Sequence, residues 1–474
     1  MTVTRKATVA AVAVFLAAPL TALAAEDAVL AELKRLSERI EALERHNREL
    51  EKALAHERIS EKDPELVTRV KVVESQLDAI RAPSAKLNEV LEGVKVGGSI
   101  TAVAQRAGGK ATASGVDESR TNYRGDINVT MPVGKMGDSE GIFFTHFRLG
   151  QGNGVGLRST YTSTPNTLAF QKAEGADDSF AILAQAWYQL KMPLNYGARK
   201  ETAREHLYVT VGKIDPFVFF DQNTAADDES SKFINNAFVH NPLLDSGGDT
   251  GADAYGFMPG AIVKYANSEH KGGEWALSLG AFSSDTGANF SGANRSSFII
   301  GQAEINTRFN YLSGTWRLYA WSNNRAQNYD GLQRRNAGWG ASVNQKALDD
   351  LTLFGRYGRN TSGVVRFDRA LTLGAELEGT RWSRSADSIG LAFGSLRTSG
   401  SFRANSPTVD ANGDGISDFG YQAGGHERLT ELYYRYKLNA NVELTPNFQW
   451  IRNPGGDGTA PTLRVLGLRA KLGF

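Results

Sequence analysis

Residues 463–474 read LRVLGLRAKLGF, and this stretch decides the fold. In an extended chain, Leu466, Leu468 and Phe474 lie on one side, whereas Arg469 and Lys471 lie on the other. This is the pattern of a strand with hydrocarbon on one face and water on the other. A strand of this kind that ends on an aromatic residue is typical of the closing strand of a bacterial outer-membrane barrel.

The same alternation recurs from residue 94 onward, where the chain is rich in glycine and aromatic residues. We predict about sixteen strands of roughly ten residues each, joined as an antiparallel transmembrane β-barrel. The expected strands are 94–106, 121–133, 141–151, 180–192, 206–214, 258–266, 273–283, 297–309, 314–324, 337–346, 351–359, 369–379, 386–397, 428–438, 441–451 and 463–474. A barrel of this size encloses an aqueous lumen, so the fold indicates a channel.

Composition excludes several other classes of protein. The 474-residue chain has no cysteine, so it contains no disulfide scaffold and no thiolate metal site. Mean hydropathy is −0.34, and no stretch outside the first 24 residues approaches the ~18 apolar residues of a spanning helix. The near-neutral net charge of +1 gives no reason to expect a nucleic-acid partner.

The first residues predict export from the cytoplasm. Residues 1–24 combine the basic residues Arg5 and Lys6 with an apolar stretch and the small-residue pattern Ala22-Leu23-Ala24, which is typical of a secretory signal peptide. Removing them takes away two basic residues and no acidic one, so the net charge changes from +1 to −1. We expect the remaining domains to be a periplasmic helical segment at 25–82, a linker at 83–93 and an outer-membrane barrel at 94–474.

The helical segment carries a narrow apolar seam that is typical of a coiled coil. Its spacing alternates between three and four residues over Leu33, Leu36, Ile40, Leu43, Asn47, Leu50 and Leu54. An Asn47 in the core pairs best with another Asn47, which favours parallel self-association. We expect a homo-oligomer, with a trimer preferred by analogy with other outer-membrane barrels of this size. The alternative is a monomeric helix on the periplasmic face of the membrane.

The longest connection, at 215–257, is the candidate for the narrow part of the lumen. Its aromatic, amide and carboxylate side chains suit a sugar, which offers apolar ring faces and hydroxyl groups that donate and accept hydrogen bonds. The alternative is a packed loop whose aromatic residues form its own core. Arg148 lies opposite in phase to its apolar neighbours on the third strand and should face the water of the lumen, either touching the solute or lining a solvated wall.

Residues 410–418 follow the spacing of a calcium-binding loop. Asp410, Asn412, Asp414 and Asp418 would supply side-chain oxygens, and Ile416 would supply a backbone carbonyl. The twelfth position of this pattern, counted from Asp410, is Tyr421 rather than a glutamate. We therefore expect weak affinity for calcium unless Glu427 or Asp387 supplies an oxygen ligand. The alternative is a loop without calcium that is closed by aspartate and asparagine turns. We expect transport to require no cofactor.

Five stretches resemble the carbohydrate-selective porin family, the glucose-porin type of outer-membrane channel. They are HFRLGQGNG at 146–154, GKIDPFVFFDQNTAADDESSKFINNAF at 212–238, MPGAIVKY at 258–265, SADSIGLAFG at 385–394 and ERLTELYYRYKLNANVELTPNFQWIRNPGG at 427–456. The resemblance implies passive diffusion of carbohydrates across the Gram-negative outer membrane through a sixteen-stranded barrel. Carried over by position, the residues of the matching loop are Lys213, Asp215, Phe217, Asp221, Asn223, Asn235 and Asn236.

Two other functions compete with a sugar channel: a general, non-selective porin, and a structural tether that anchors the coiled coil in the membrane. An enzyme is disfavoured because the seven histidines show no spacing that links one to a serine. The expected partners are sugars as permeants, outer-membrane lipid, and the barrel-assembly machinery, which would recognise the C-terminal strand.

Overall fold

The computed structural model describes residues 38, 41–42, 44–46, 48–49, 93–169, 179–194, 203–244, 255–284 and 297–474. The chain divides into two units, Met1–Glu92 and Gly93–Phe474. The described residues of the first unit are helical and exposed, and Arg48 pairs with Glu44 one turn earlier at 3.8 Å. The seam residues Leu36, Ile40, Leu43, Asn47 and Leu50 lie outside the described residues, so the coiled coil stays a prediction.

The second unit is a closed antiparallel barrel of sixteen strands, each hydrogen-bonded to its neighbours in sequence. The strands are β1 (Lys95–Ala107), β2 (Glu118–Met136), β3 (Ser139–Gln151), β4 (Phe180–Pro193), β5 (Glu205–Ile214), β6 (Met258–Asn267), β7 (Trp275–Phe282), β8 (Phe298–Phe309), β9 (Leu312–Gln327), β10 (Gln333–Leu348), β11 (Leu351–Ser362), β12 (Phe367–Glu378), β13 (Ser388–Thr398), β14 (His426–Lys437), β15 (Val442–Arg452) and β16 (Leu463–Gly473). The predicted fold class and strand number are confirmed. Within the described residues, no helix is long and apolar enough to cross a membrane.

The barrel closes where β1 meets β16. Ser99 to Ala107 run antiparallel to Gly473 to Val465, and the backbones of Gly98 and Phe474 exchange two hydrogen bonds of 3.1 and 2.9 Å. A Cβ atom at Gly98 would lie 2.4 Å from the ring of Phe474, so a larger residue here would require that ring to move. Closure leaves every strand paired on both sides, which satisfies the backbone in a membrane.

Side chains alternate between the outer face and the lumen along every strand. On β16, Leu466 is 60% exposed on the outer face, whereas Arg469 is 4% exposed and points inward. Leucine, isoleucine, valine, phenylalanine and tryptophan residues cover the outer face of the other strands in the same way. This distribution is the one that lipid outside and polar groups inside demand.

The connections at the two ends of the barrel differ in length. The three longest follow β3, β5 and β13, and all three lie at the end opposite to the start of β1 and the end of β16. Connections such as 310–311 and 349–350 at the other end are tight turns. Two short helices lie in the long connections: α1 (Asn236–Val239) after β5 and α2 (Gly400–Asn405) after β13.

Candidate functional site

The described parts of the connection between β5 and β6, residues 215–244 and 255–257, fold back into the barrel, and we call them the inward loop. Its aromatic residues Phe220, Phe233 and Phe238 are at most 1% exposed and pack against side chains of the barrel wall. The loop therefore has a core, as the packed-loop alternative proposed, but it shares that core with the strands. It therefore narrows the lumen.

The inward loop leaves β5 through a single 3-10 turn, Pro216–Val218. The carboxylate of Asp215 caps this turn by accepting a hydrogen bond of 2.9 Å from the N–H of Phe217. The ring of Phe217 stacks on that of His240, with centroids 3.8 Å apart. Burial raises the pKa of Asp215 to about 6 and lowers that of His240 to about 3, so the histidine is neutral at physiological pH.

Asp221 is the first anchor of the loop on the wall. Its carboxylate accepts hydrogen bonds from the hydroxyl of Tyr319 at 2.7 Å and from the N–H of Asn241 at 2.6 Å, and it pairs with Arg356 at 3.2 Å. Arg356 also donates to the carbonyls of Ala226, at 3.1 Å, and Phe238, at 2.7 Å. Both charged side chains of the pair are fully buried. One arginine of β11 therefore fixes three separate points of the loop.

Two amides form further anchors. The side-chain amide of Asn223 donates to the carbonyl of Val343 on β10 at 3.0 Å, and that of Asn235 donates to Gln449 on β15 at 2.9 Å. Asn235 also caps α1, while Glu431 on β14 accepts the backbone N–H groups of Ile234 and Asn235 at 2.9 and 3.0 Å. The loop is thus held on the far wall of the barrel as well as near its origin.

Residues 152–169 of the connection between β3 and β4 also enter the lumen. The carbonyl of Pro165 accepts hydrogen bonds from Gln105 on β1 at 3.1 Å and from Gln449 on β15 at 2.8 Å. The N–H of Thr167 donates to the carbonyl of Ile234 in the inward loop at 3.0 Å. The two connections therefore support each other inside the barrel.

A strip of opposite charges runs along the edge of the inward loop and the adjoining wall, and we call it the charged strip. Arg124 on β2 bridges Asp126 at 2.8 Å and Glu229 of the loop at 2.7 Å, while Arg148 on β3 lies 2.9 Å from Asp126. The full set is Arg124, Asp126, Arg148, Asp228, Glu229 and Lys471. Burial opposes ionisation of Glu229, but Arg124 and Arg148 outweigh it and lower the pKa of this carboxyl.

The structure divides the site residues predicted from the sequence into two groups. Arg148, Lys213, Asp215, Phe217 and Asn236 are only partly buried, near the start of the inward loop or on its edge. The ammonium group of Lys213 donates to the carbonyl of Leu183 at 3.1 Å and lies 5.9 Å from the ring centre of Phe257. The guanidinium of Arg148 lies 5.2 Å from the same ring.

Asp221, Asn223 and Asn235 form the second group, since each is at most 1% exposed. In this arrangement they contact the barrel wall and the loop backbone. Direct contact of either group with a permeant stays a prediction.

Sequence reasoning missed the partners on the wall. The alternation of β2 places Arg124 and Asp126 on its polar face, but it does not reveal that they form a pair that contacts the loop. Glu229 belongs to the acidic run at 227–229, which was the available signal. Nothing in the local sequence distinguishes Glu431, which receives the loop, from any other polar residue facing the lumen.

The candidate calcium loop is exposed and is closed by its own hydrogen bonds. Asp410 accepts the N–H groups of Gly413 at 2.7 Å and Gly415 at 2.8 Å. Glu427 accepts the N–H of Tyr161 at 2.9 Å, and Asp387 pairs with an arginine at the opposite end of the barrel, so neither completes this loop. No group of three or more acidic or histidine residues converges on one point in the described part of the chain. Calcium binding by 410–418 stays a prediction.

One serine lies within hydrogen-bond distance of a histidine on the outer face of the barrel. The hydroxyl of Ser395 lies 3.0 Å from Nδ1 of His426. Among the described residues, no carboxylate is hydrogen-bonded to this histidine, so the pair lacks the third member of a catalytic triad.

Comparison with protein families matches residues 143–474 to the family described as carbohydrate-selective porin, OprB family. Among solved structures, the high-pH structure of Pseudomonas putida OprB has a TM-score of 0.62 at 17% identity, covering 82% of this chain and 96% of that chain. The low-pH structure of the same protein has a TM-score of 0.46 at 14% identity, with the same coverage of 82% and 96%. The outer membrane channel DcaP of Acinetobacter baumannii has a TM-score of 0.45 at 12% identity, covering 80% and 97%.

No curated protein matches the sequence significantly. At these identities the likeness to solved structures shows the fold alone. The family match, in contrast, covers well over half of the chain. The chain therefore belongs to the OprB family of carbohydrate-selective porins, which are outer-membrane channels for sugars.

Proposed function

We propose that mono- and oligosaccharides cross this barrel by passive diffusion along the edge of the inward loop, past the charged strip. The observation that carries the proposal is the pairing of both signs of charge at that edge, beside the exposed residues Thr224 and Asp227. Guanidinium groups donate hydrogen bonds and carboxylates accept them. A solute rich in hydroxyl groups can replace its hydrogen bonds to water with hydrogen bonds to these donors and acceptors.

The charges of the strip largely neutralise each other, which suits an uncharged permeant. A row of unpaired side chains that all carry the same charge would attract counter-ions and make the channel selective for ions instead. The stacked rings of Phe217 and His240 add an apolar surface near the origin of the loop. Sugar rings pack on such surfaces through their C–H faces.

The site residues take two roles in this proposal. Arg148, Lys213, Asp215, Phe217 and Asn236 flank the path of the permeant. In contrast, Asp221, Asn223 and Asn235 hold the inward loop against the wall and act on permeation through its position.

Planar-bilayer recordings on the purified protein test the proposal. Glucose and maltose should block the ion current in a graded manner, and Arg148→Gln should weaken this block because it removes one donor from the strip. Arg334→Gln is the matched control, since its arginine pairs at 2.9 Å with Asp330, which lies in the connection between β9 and β10. Ion current without graded sugar block would contradict the proposal and favour a general, non-selective porin.

We also propose an assembly and an orientation. The N-terminal segment lies in the periplasm, the barrels form a trimer supported by the coiled coil, and the assembly machinery recognises β16. Deletion of residues 25–82 should weaken the oligomer on native gels while sugar uptake persists. Loss of membrane integrity in the deletion strain would instead favour the tether function. We propose no enzymatic activity.

A further inference from the structure

Arginines ring half of the barrel on its outer face, at the end that carries the long connections. Eight neighbouring strands, β10 to β16 and β1, each contribute one of them within a few residues of that end, and we call the set the arginine belt. Its members are Arg335, Arg359, Arg369, Arg397, Arg428, Arg452, Arg464 and Arg106. Their side chains alternate with the buried, lumen-facing residues of the same strands, so they point away from the lumen.

Strand register places several of these arginines directly opposite one another. Arg369 on β12 lies between Arg359 on β11 and Arg397 on β13, and Arg428 on β14 lies opposite Arg452 on β15. Like charges in directly opposed positions destabilise a sheet. Anions between the members of the belt would relieve this repulsion.

The protein supplies few of those anions. Within the described residues, Arg106 is the single member of the belt with a carboxylate within 4.0 Å, and that pair, with Asp117 at 3.4 Å, is largely exposed. Arg335 donates to the hydroxyl of Ser322 at 3.1 Å. The remaining members lie on the outer face, within a few residues of the strand ends that carry the long connections.

An apolar groove of about 400 Å³ opens on the outer face within the belt. Leu371, Leu373 and Phe393 form its walls, and Arg428 and Arg452 lie among its lining residues. Trp450 completes it, with the guanidinium of Arg452 4.6 Å from the ring centre. The indole N–H of Trp450 is buried and has no hydrogen-bond partner among the described residues. The groove thus combines room for a hydrocarbon chain with unpaired donors.

We propose that the arginine belt binds the phosphate groups of a phosphorylated glycolipid of the outer leaflet, and that one acyl chain of this lipid occupies the groove. Arginine forms bidentate hydrogen bonds with phosphate, and a phosphate between two opposed arginines removes their repulsion. Long connections of bacterial barrels face the cell exterior, so the belt lies in the outer leaflet. Outward residues on the other half include the apolar Leu279 and Ile299, and the belt itself is confined to β10–β16 and β1, so we place the lipid on one side of the barrel.

The test compares the wild-type protein with the triple variant Arg369→Gln/Arg397→Gln/Arg428→Gln, both purified and folded in detergent. The probe is lipid A with two phosphates, and native mass spectrometry and the midpoint of thermal unfolding report its binding. We expect the variant to bind lipid A with a dissociation constant at least tenfold larger than that of the wild type. In lipid-free detergent the variant should unfold at the same temperature as the wild type or higher, because like-charge repulsion is removed.

The matched control changes three basic residues at the opposite end of the barrel, Arg204→Gln/Lys271→Gln/Arg381→Gln, and should bind lipid A as the wild type does. Equal affinity of wild type and belt variant would overturn the proposal. So would equal binding of dephosphorylated lipid A or phosphatidylglycerol, or equal stabilisation by inorganic phosphate. If the triple variant does not fold, the single variant Arg428→Gln gives the same comparison, with a smaller expected loss of about threefold.

Discussion

Replacing Arg356 with methionine should release the inward loop while leaving the barrel intact. The guanidinium of Arg356 is fully buried, pairs with Asp221 and holds the carbonyls of Ala226 and Phe238. Removing one partner of a buried ion pair costs ~3–5 kcal/mol, because the other charge stays buried without compensation. At ~1.4 kcal/mol for each factor of ten, the ratio of docked to released loop should fall roughly 100- to 4000-fold. The strand ladder does not depend on this side chain.

Single-channel conductance and limited proteolysis measure the release. Arg356→Met should raise the conductance, remove the graded sugar block and expose the inward loop to protease, while heat-modifiable migration on gels shows a folded barrel. Adding Asp221→Asn should restore much of the docking, since the double variant leaves no buried charge and asparagine tolerates the left-handed backbone at this position, where φ is 53°. The control Arg334→Met removes an exposed pair and should cost at most ~1 kcal/mol. Wild-type conductance and protease resistance in Arg356→Met would refute the reasoning.

Three further substitutions test the docking of the inward loop, the ionisation of Asp215 and the lipid-facing side of the barrel. Glu431→Ala should destabilise the docked loop by about 1–3 kcal/mol for each of the N–H groups of Ile234 and Asn235 left unsatisfied, measured by protease resistance of the loop. Because the pKa of Asp215 is raised to about 6, cation preference in reversal-potential measurements should increase between pH 5 and pH 7 as this carboxyl ionises, and Asp215→Asn should abolish the increase. Leu279→Arg should destabilise the barrel in lipid vesicles by ~2–4 kcal/mol, measured by urea unfolding, because it places a charge in hydrocarbon.

Each of these changes has its own control. Glu431→Gln keeps one acceptor and should lose less than the alanine variant, and an equal loss would show that hydrogen bonding is not the cause. Asp414→Asn, on an exposed connection, should leave the pH response unchanged. Leu279→Ala removes apolar surface without adding charge, so a loss as large as that of the arginine variant would contradict the assigned lipid face.

The barrel was predictable from sequence because the alternation of apolar and polar residues within each strand identifies its lipid-facing and lumen-facing sides. A residue such as Leu466 faces lipid and its neighbour Val465 faces inward whatever the rest of the chain does, since the alternation follows from the pleat. Expected and observed strand ends therefore differ by at most four residues, the largest difference being at the start of β10, which begins at Gln333.

The course of the inward loop was not predictable in this way. Its anchors join residues far apart in sequence, such as Asp221 with Arg356 and Asn235 with Gln449. Alternation identifies Arg356 as lumen-facing, but a pattern of period two does not reveal what fills the lumen. The structure shows that the loop does, and that this arginine is fully buried.

The polarity of the barrel interior explains why the loop is held by ion pairs and amides. Strands that enclose water must carry polar residues inward, so a loop that enters the lumen meets carboxylates, amides and guanidinium groups at many of its contacts. Each buried polar group must then form a hydrogen bond or ion pair. The free-energy penalty of burying it without a partner is larger than the stabilisation from an apolar contact. Such partners fit in one register only, as Glu431 does with two successive N–H groups. Docking is therefore specific, and the width of the passage is set by side chains on strands that the permeant does not need to touch.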